Sequence, residues 1–557
     1  MRPWPRCLLA AAALAAFTLA AATAARAETW NLALKRLEPR SRSEVSLSAD
    51  SIYRTTYAQR FTAQVGPAGK SRIMFSGASE QSAAFKRIAK QEPKYRSEYP
   101  FRGVAKLGSQ QYAFALDAVP PPSEAKGAES QAKDEKSAAE EAKSKDKKAT
   151  SKDKKAPSDS AKDKAKDKPG EASPPKAVAY NRLYFDFNRN GDLTDDKVLE
   201  AESPPRTSSY SSSSPSAYTY AYFQFPRVDV TIDADGTPVD YAFLLGGYAR
   251  ASRDYSYAGV SLNAAAYREG EIVLEGKKRH VVLLDFNSNG RFDDEIKLRT
   301  DIVSSTGRLY PEQGDMLLMD LDPSKPALGS AYDVTSGGNR QYVSKLVNID
   351  GRYYDLKISA SGDKLTLNSS SVPLGSVTSP NDGLRALLCG DLGFLTMNGS
   401  KDTPTALPAG RWKLLSYTID QTGYEESASS IPAVKKADEI LSAMAKALAS
   451  TTAANVRGVR PPIMTTRISA AGTKDCPAVE VRKGEALALP FGPPYKPVVK
   501  VSSIAAGKEI SLSMSLIGSA GEVCTGLTIN GSQPSPPEFT ITDPKGEVVE
   551  RGKFKYG

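Results

Sequence analysis

The sequence predicts a mainly β protein, with two or more β-sheet or β-sandwich modules built from hairpins, few helices and one long disordered insertion. Three observations predict it. Apolar residues recur with a period of two in segment after segment, as in VAKLGSQQYAFALD (104–117) and RWKLLSYTID (411–420). That period places them on one face of a strand. Gly, Asp-Gly and Asn-Gly punctuate these segments, and such dipeptides favour tight hairpins. Helical periodicity is confined to two short stretches.

In chain order, residues 1–27 (MRPWPRCLLAAAALAAFTLAAATAARA) carry Arg2 and Arg6 ahead of an Ala/Leu-rich core and end in Ala25-Arg26-Ala27. This is the pattern of a cleaved signal peptide. An anchor reading is weaker, because the core is Ala-dominated and no stop-transfer flank follows. No later segment reaches the roughly 20 apolar residues of a membrane span. The expectation is a chain exported to the periplasm, the cell surface or beyond, with no transmembrane segment after Glu28. Residues 28–119 form an N-terminal β-rich region with a short helix over SEQSAAFKRIAKQ (79–91). Residues 120–178 are the insertion. The stretch 121–178 holds 15 Lys against 12 Asp plus Glu and almost no apolar side chain larger than Ala. It cannot bury enough surface to offset its ordering entropy, so it reads as a disordered, mixed-charge loop.

Residues 179–330 form a β domain, residues 331–454 a β-rich module, and residues 455–557 a C-terminal β-sandwich. Within the first, SPPRTSSYSSSSPSAYTYAYFQFP (203–226) divides into a serine-rich loop and a strand with alternating Tyr218, Tyr220 and Tyr222. Within the second, AVKKADEILSAMAKALAS (433–450) sets Ile440, Met444, Ala445 and Leu448 at helical spacing. The third closes on EFTITDPKGEVVERGKFKYG, two strands around a Pro-Lys-Gly turn. TALPAGRWKLLSY (405–417) resembles the edge of prealbumin-like β-sandwich modules and supports a sandwich. A weak repeat aligns LGSQQYAFALD (107–117) with EGKKRHVVLLD (275–285), Gly108 over Gly276 and Asp117 over Asp285.

The charge is +10. Three of the arginines lie in residues 1–27 and part of the excess in the lysine-rich stretch, so the folded part is close to neutral. No basic stripe with interleaved aromatics marks a nucleic-acid partner. Three cysteines follow residue 27: Cys389, Cys476 and Cys524. Export makes one bridge possible, and the pair within the C-terminal region, Cys476 with Cys524, is the one expected.

The most informative stretches are FDFNRNGDLTDD (185–196) and LDFNSNGRFDDE (284–295). Counted from Asp186, positions one, three and five are Asp186, Asn188 and Asn190. Gly191 stands at six, Asp192 at seven, Leu193 at eight, and Asp195 and Asp196 at ten and eleven. The second stretch places Asp285, Asn287, Asn289, Gly290, Arg291, Phe292, Asp294 and Glu295 likewise, with Asp293 at nine. Alternate oxygen-bearing side chains, a glycine at six and a backbone carbonyl at seven give the rhythm of an EF-hand-type calcium loop. Calcium takes six to eight hard oxygen ligands, which Asp and Asn carry on short side chains. Each loop begins where an apolar strand ends.

These stretches resemble the EF-hand-like loops of dockerins and other extracellular calcium modules, over about a dozen residues per copy. The layout also resembles uncharacterised secreted bacterial β-rich proteins with paired DxNxNGxLxDD loops, which implies no activity. Position twelve departs from the pattern. It is Lys197 in one copy and Ile296 in the other, so closure must come from Asp195 or Asp196, and from Asp294 or Glu295. Neither loop is followed by a helical pattern. The competing reading is a pair of type I′ hairpins at Asn190-Gly191 and Asn289-Gly290. The resemblance implies weak calcium affinity, about 10⁻⁴ to 10⁻³ M as in extracellular modules.

Catalytic constellations are not evident. The chain has one histidine, His280, and no GxSxG, P-loop or GxGxxG motif. Nothing singles out a glycosidase-type carboxylate pair. Cys389 reads as a small buried hydrophobe before it reads as a nucleophile. The expected function is that of an exported calcium-binding structural or interaction protein, not an enzyme, whose partner is a cell-surface polymer or protein. The alternative is a carbohydrate-active or carbohydrate-binding protein with structural calcium.

Overall fold

The computed structural model describes residues 27–38, 53–54, 56–66, 78–120, 176–210, 217–299, 307–320, 340–421, 466–504 and 509–556. The expected signal peptide, nearly all of the lysine-rich insertion, the helix at 433–450 and part of the serine-rich loop (211–216) lie outside them. The fold is mainly β, arranged in several sheets. Among the described residues there is one α-helix, Ala78–Ile88, where the sequence predicts it.

Strand alternation follows the sequence period. Phe101–Leu107 buries Phe101, Ala105 and Leu107 and exposes Arg102 and Lys106. The hairpins at Asp235-Gly236, Glu275-Gly276 and Asp350-Gly351 each place two consecutive residues at positive φ, as a type I′ turn requires.

One large core gathers residues from Leu32 to Leu367. Four sheets contribute to it. Phe101–Leu107, Gln110–Asp117, Arg182–Phe185 and Leu199–Glu200 form an antiparallel meander. Ala266–Leu274 pairs with Lys277–Leu284, which pairs with Met316–Met319. A third sheet runs Gln59–Gln64, Ser256–Ala264, Thr237–Ser252, Tyr218–Gln224, Arg206–Tyr210. The fourth pairs Glu28–Asn31 with Lys364–Ser369. The strand Ala33–Arg36 joins Ala266–Leu274. N-terminal strands therefore complete sheets made of residues 206–369, and the expected boundaries after 119 and 330 cut through this core.

A second core centres on Trp412, Leu414, Tyr417 and Leu388. Its sheet carries Gly410–Asp420 beside both Leu384–Gly390 and Thr466–Ala471. The expected boundary at 454/455 thus falls between strands of one sheet, and residues 466–504 do not form a separate sandwich. Within the described part of 203–226, residues 206–210, expected as loop, form the strand Arg206–Tyr210, which pairs along the tyrosine strand. The terminal hairpin Glu538–Thr542 with Val548–Lys553 is present. The expected Cys476–Cys524 bridge is not. Cys389, Cys476 and Cys524 are free, and Cys476 is buried while Cys524 reaches the carbonyl of Gly526.

Candidate metal centre

Each acidic loop starts at the first residue beyond a strand, Asp186 after Arg182–Phe185 and Asp285 after Lys277–Leu284. Their backbones match. Arg189 and Gly191 have positive φ in the first loop, Ser288 and Gly290 in the second, at positions four and six of each. A type I′ turn needs adjacent positive φ values, so the Asn-Gly pairs are not hairpin turns here. The apolar residues at position eight, Leu193 and Phe292, are fully buried.

In both loops the glycine N–H donates to the first aspartate: Gly191 N to Asp186 Oδ2 at 3.1 Å, and Gly290 N to Asp285 Oδ2 at 2.6 Å. Both asparagine amides reach position ten. Asn190 Nδ2 lies 2.7 Å from Asp195 Oδ2 and Asn188 Nδ2 at 3.4 Å. Asn289 and Asn287 Nδ2 lie 2.6 and 3.1 Å from Asp294 Oδ2. In the first loop the asparagine oxygens take N–H bonds two residues on, Asn188 Oδ1 from Asn190 and Asn190 Oδ1 from Asp192.

Position eleven separates the copies. Asp196 Oδ2 accepts the N–H of Phe187 at 3.1 Å. The equivalent N–H, on Phe286, donates instead to Asp315 Oδ1 at 3.0 Å, and Asp294 N donates to Asp315 Oδ2. Asp315 sits just before the strand Met316–Met319 and accepts the hydrogen bond that Asp196, at position eleven, accepts in the first loop; Glu295, at position eleven of the second, does not. No loop spacing signals Asp315, because it lies twenty residues beyond the second loop. Arg291 and Asp293, candidates at seven and nine, pair with each other, and Arg291 Nη1 also reaches Asp235. Asp293 is thereby engaged by a neighbour within the loop. Asp192 is used locally, capping the N–H of Thr194.

Asp186 is fully buried. The sequence period alone would leave its side of the strand open. The helix Ala78–Ile88 closes it, with Phe85 packing on Tyr184 and Leu193. Lys90 and Gln91 N–H groups bond to Gly191 O, and Leu193 N to Gln91 O. Burial raises the Asp186 pKa above the ordinary carboxylate range, against the pull of the N–H groups of Gly191, Arg189 and Asn190. Burial raises Asp196 too. In the second loop burial pushes Asp285 up to about 7, although Tyr241 Oη donates to it at 2.5 Å. Burial and the charges of Asp285 and Asp294 lift Asp315 well above its usual value.

Each loop keeps one buried oxygen without a hydrogen-bond partner, Asp186 Oδ1 in the first and Asn287 Oδ1 in the second. A buried acceptor left unmade costs about 1–3 kcal/mol, more when charged. Calcium takes hard oxygens, and beside the unpaired carboxylate oxygen the candidate side-chain donors are Asp186, Asp195, Asp196 and the Asn188 and Asn190 oxygens, the last two accepting the N–H groups of Asn190 and Asp192. Among the described residues no three His, Cys, Asp or Glu side chains already stand as a ready metal cluster.

The other candidate chemistries are quieter. His280 Nε2 lies 2.9 Å from Glu269 Oε1 on neighbouring strands. Burial pushes the Cys389 thiol up to about 11, so it stays protonated at neutral pH. Asp117, aligned by the sequence repeat with Asp285, instead accepts the N–H groups of Arg96 and Ser97. The repeat that the pairing supports sets Arg182–Phe185 against Lys277–Leu284, each following an antiparallel partner strand. Among the described residues no helix is long and apolar enough to cross a membrane. Compared with known protein families, with curated proteins and with solved structures, the chain matches none.

Proposed function

We infer that this is an exported calcium-binding protein with a structural or interaction role at the periplasm or cell surface, in which two EF-hand-like loops bind calcium and rigidify the β framework. The observation that carries this reading is Asp186 Oδ1, an acceptor buried without a partner at position one of a loop whose backbone recurs at Asp285. A divalent ion held there would supply the missing counter-charge and tie the strand Arg182–Phe185 to the helix Ala78–Ile88. Magnesium fits less well, because it keeps several waters and uses one or two carboxylates. Isothermal titration of the chain from Glu28 with calcium tests the reading. Saturable binding near about 10⁻⁴ to 10⁻³ M, lost in a variant carrying Asp186→Ala and Asp285→Ala, is expected. A flat titration at millimolar calcium would sink it.

A further inference from the structure

The third sheet has one face in the core and one face outward. Strand register fixes what the outward face presents. Tyr248 lies opposite Tyr222 and Gly259, Arg250 opposite Tyr220 and Tyr257, and Ser252 opposite Tyr218. Tyr210 lies opposite Tyr218 and Arg206 opposite Tyr222. At the other edge Arg60 stands opposite Ser261 and Thr62 opposite Gly259. Between these positions the alternate residues, Phe61, Ala221, Phe223, Ala249 and Val260, are buried. Where Tyr218–Gln224 pairs with residues 246–252, the outward positions of these five strands carry six tyrosines and three arginines; the sheet's outward carboxylates, Asp240 on the same long strand and Asp229 and Asp233 on its neighbour Val228–Ala234, lie toward its other end.

The tyrosines contact one another. Tyr220 and Tyr222 stack with centroids 5.5 Å apart, and Tyr248 meets Tyr220 edge-on at 5.6 Å. Arg250 is the hub, its guanidinium 4.2 Å from the Tyr218 ring and 5.1 Å from Tyr255. Its Nε is buried without a hydrogen-bond partner. Packing of a tyrosine ladder explains the ring contacts. It does not explain a row of aromatic residues at a solvent face, where Tyr222 is 44% and Tyr210 50% exposed, nor the absence of a carboxylate from the rows paired around Arg250.

We propose that this face docks an anionic polysaccharide of the uronic-acid type. Rings packed side by side offer edges and hydroxyls, which suit hydroxylated sugars, and guanidinium groups pair with carboxylates in bidentate geometry. Five strands give a platform about 19 Å wide. On strand geometry Arg206 and Arg60 stand roughly 12 and 16 Å from Arg250. That spacing suits a polymer with sparse carboxylates. It is too thin to neutralise a nucleic-acid strand, with a charge every 3.4 Å or so.

The test is affinity electrophoresis of the full chain, in EDTA, through gels holding hyaluronate or neutral dextran, with oligo-dT as competitor. EDTA keeps the outcome independent of the calcium reading. Retardation by hyaluronate alone is expected, weakened about tenfold by Arg250→Gln and several-fold by Tyr222→Ala or Arg206→Gln, as for central and rim contacts of an interface. Tyr222 and Arg206 reach solvent, so the latter two variants test the face even if Arg250→Gln misfolds. No retardation, equal retardation by dextran, or displacement by oligo-dT would overturn the proposal. So would retardation unchanged in the surface variants, which would assign polyanion binding to the lysine-rich stretch at 121–178.

Discussion

The two acidic loops share a backbone and differ in where their last carboxylate comes from. The first closes on Asp196, its own eleventh residue, which is half-buried. The second reaches across to Asp315, buried just before a neighbouring strand, and takes a further hydrogen bond from Tyr241. The comparison teaches that a loop can keep its conformation while the carboxylate that accepts its N–H groups comes from elsewhere in the chain. The first loop is a self-contained unit clamped by a helix. The second is part of the core.

The largest effect should come from the borrowed carboxylate. Asp315→Ala leaves the N–H groups of Phe286 and Asp294 without their acceptor, at about 1–3 kcal/mol each, less the repulsion it relieves. Asp196→Ala removes one acceptor in a half-buried place. Urea unfolding of the metal-free chain should show Asp315→Ala at least twice as destabilising as Asp196→Ala. Equal losses would erase the distinction between a core-borne and a self-contained loop.

Calcium should act next. At a concentration 10 to 100 times the dissociation constant, binding to the native state alone adds about 1.4–2.7 kcal/mol per site. A calcium-dependent rise in melting temperature is expected, halved by Asp186→Ala. A rise untouched by that substitution would place the metal elsewhere.

Proton linkage should separate the loops further. A carboxylate whose folded pKa is raised holds its proton more tightly folded than unfolded. Stability is therefore greatest below the unfolded value and falls as pH rises toward the folded one, by up to about 1.4 kcal/mol per pH unit for one group. For Asp285, raised to about 7, the metal-free chain should lose stability from about pH 4 to 7. Calcium should bind progressively more tightly over the same window. Asp315→Asn should flatten this slope. Melting curves across pH, with and without calcium, check both.

Smaller effects remain. Tyr241→Phe removes one donor to Asp285 and should cost about 1–2 kcal/mol in urea midpoint terms, with no counterpart in the first loop. Arg291→Ala breaks an exposed pair with Asp235, worth under about 1 kcal/mol, and a part-buried one with Asp293, worth about 1 kcal/mol more. A larger loss would mean that Arg291 orders the second loop.

Much of this molecule is written locally. Strand period, the three type I′ hairpins, the helix at 78–88 and the two loops all rest on interactions within a few residues, so spacing alone carries them. The bond from Gly191 to Asp186, five positions apart, is of this kind. Tertiary structure decided the rest. Nothing near Asp315 marks it, because its partners at 286 and 294 belong to another strand end and meet it only when the sheet forms. The burial of Asp186 needs a helix one hundred residues upstream. The sharing of sheets across residues 119, 330 and 454 has the same origin: backbone pairing depends on shape and long-range burial, and a strand's own residues state that it will pair, but not with which neighbour.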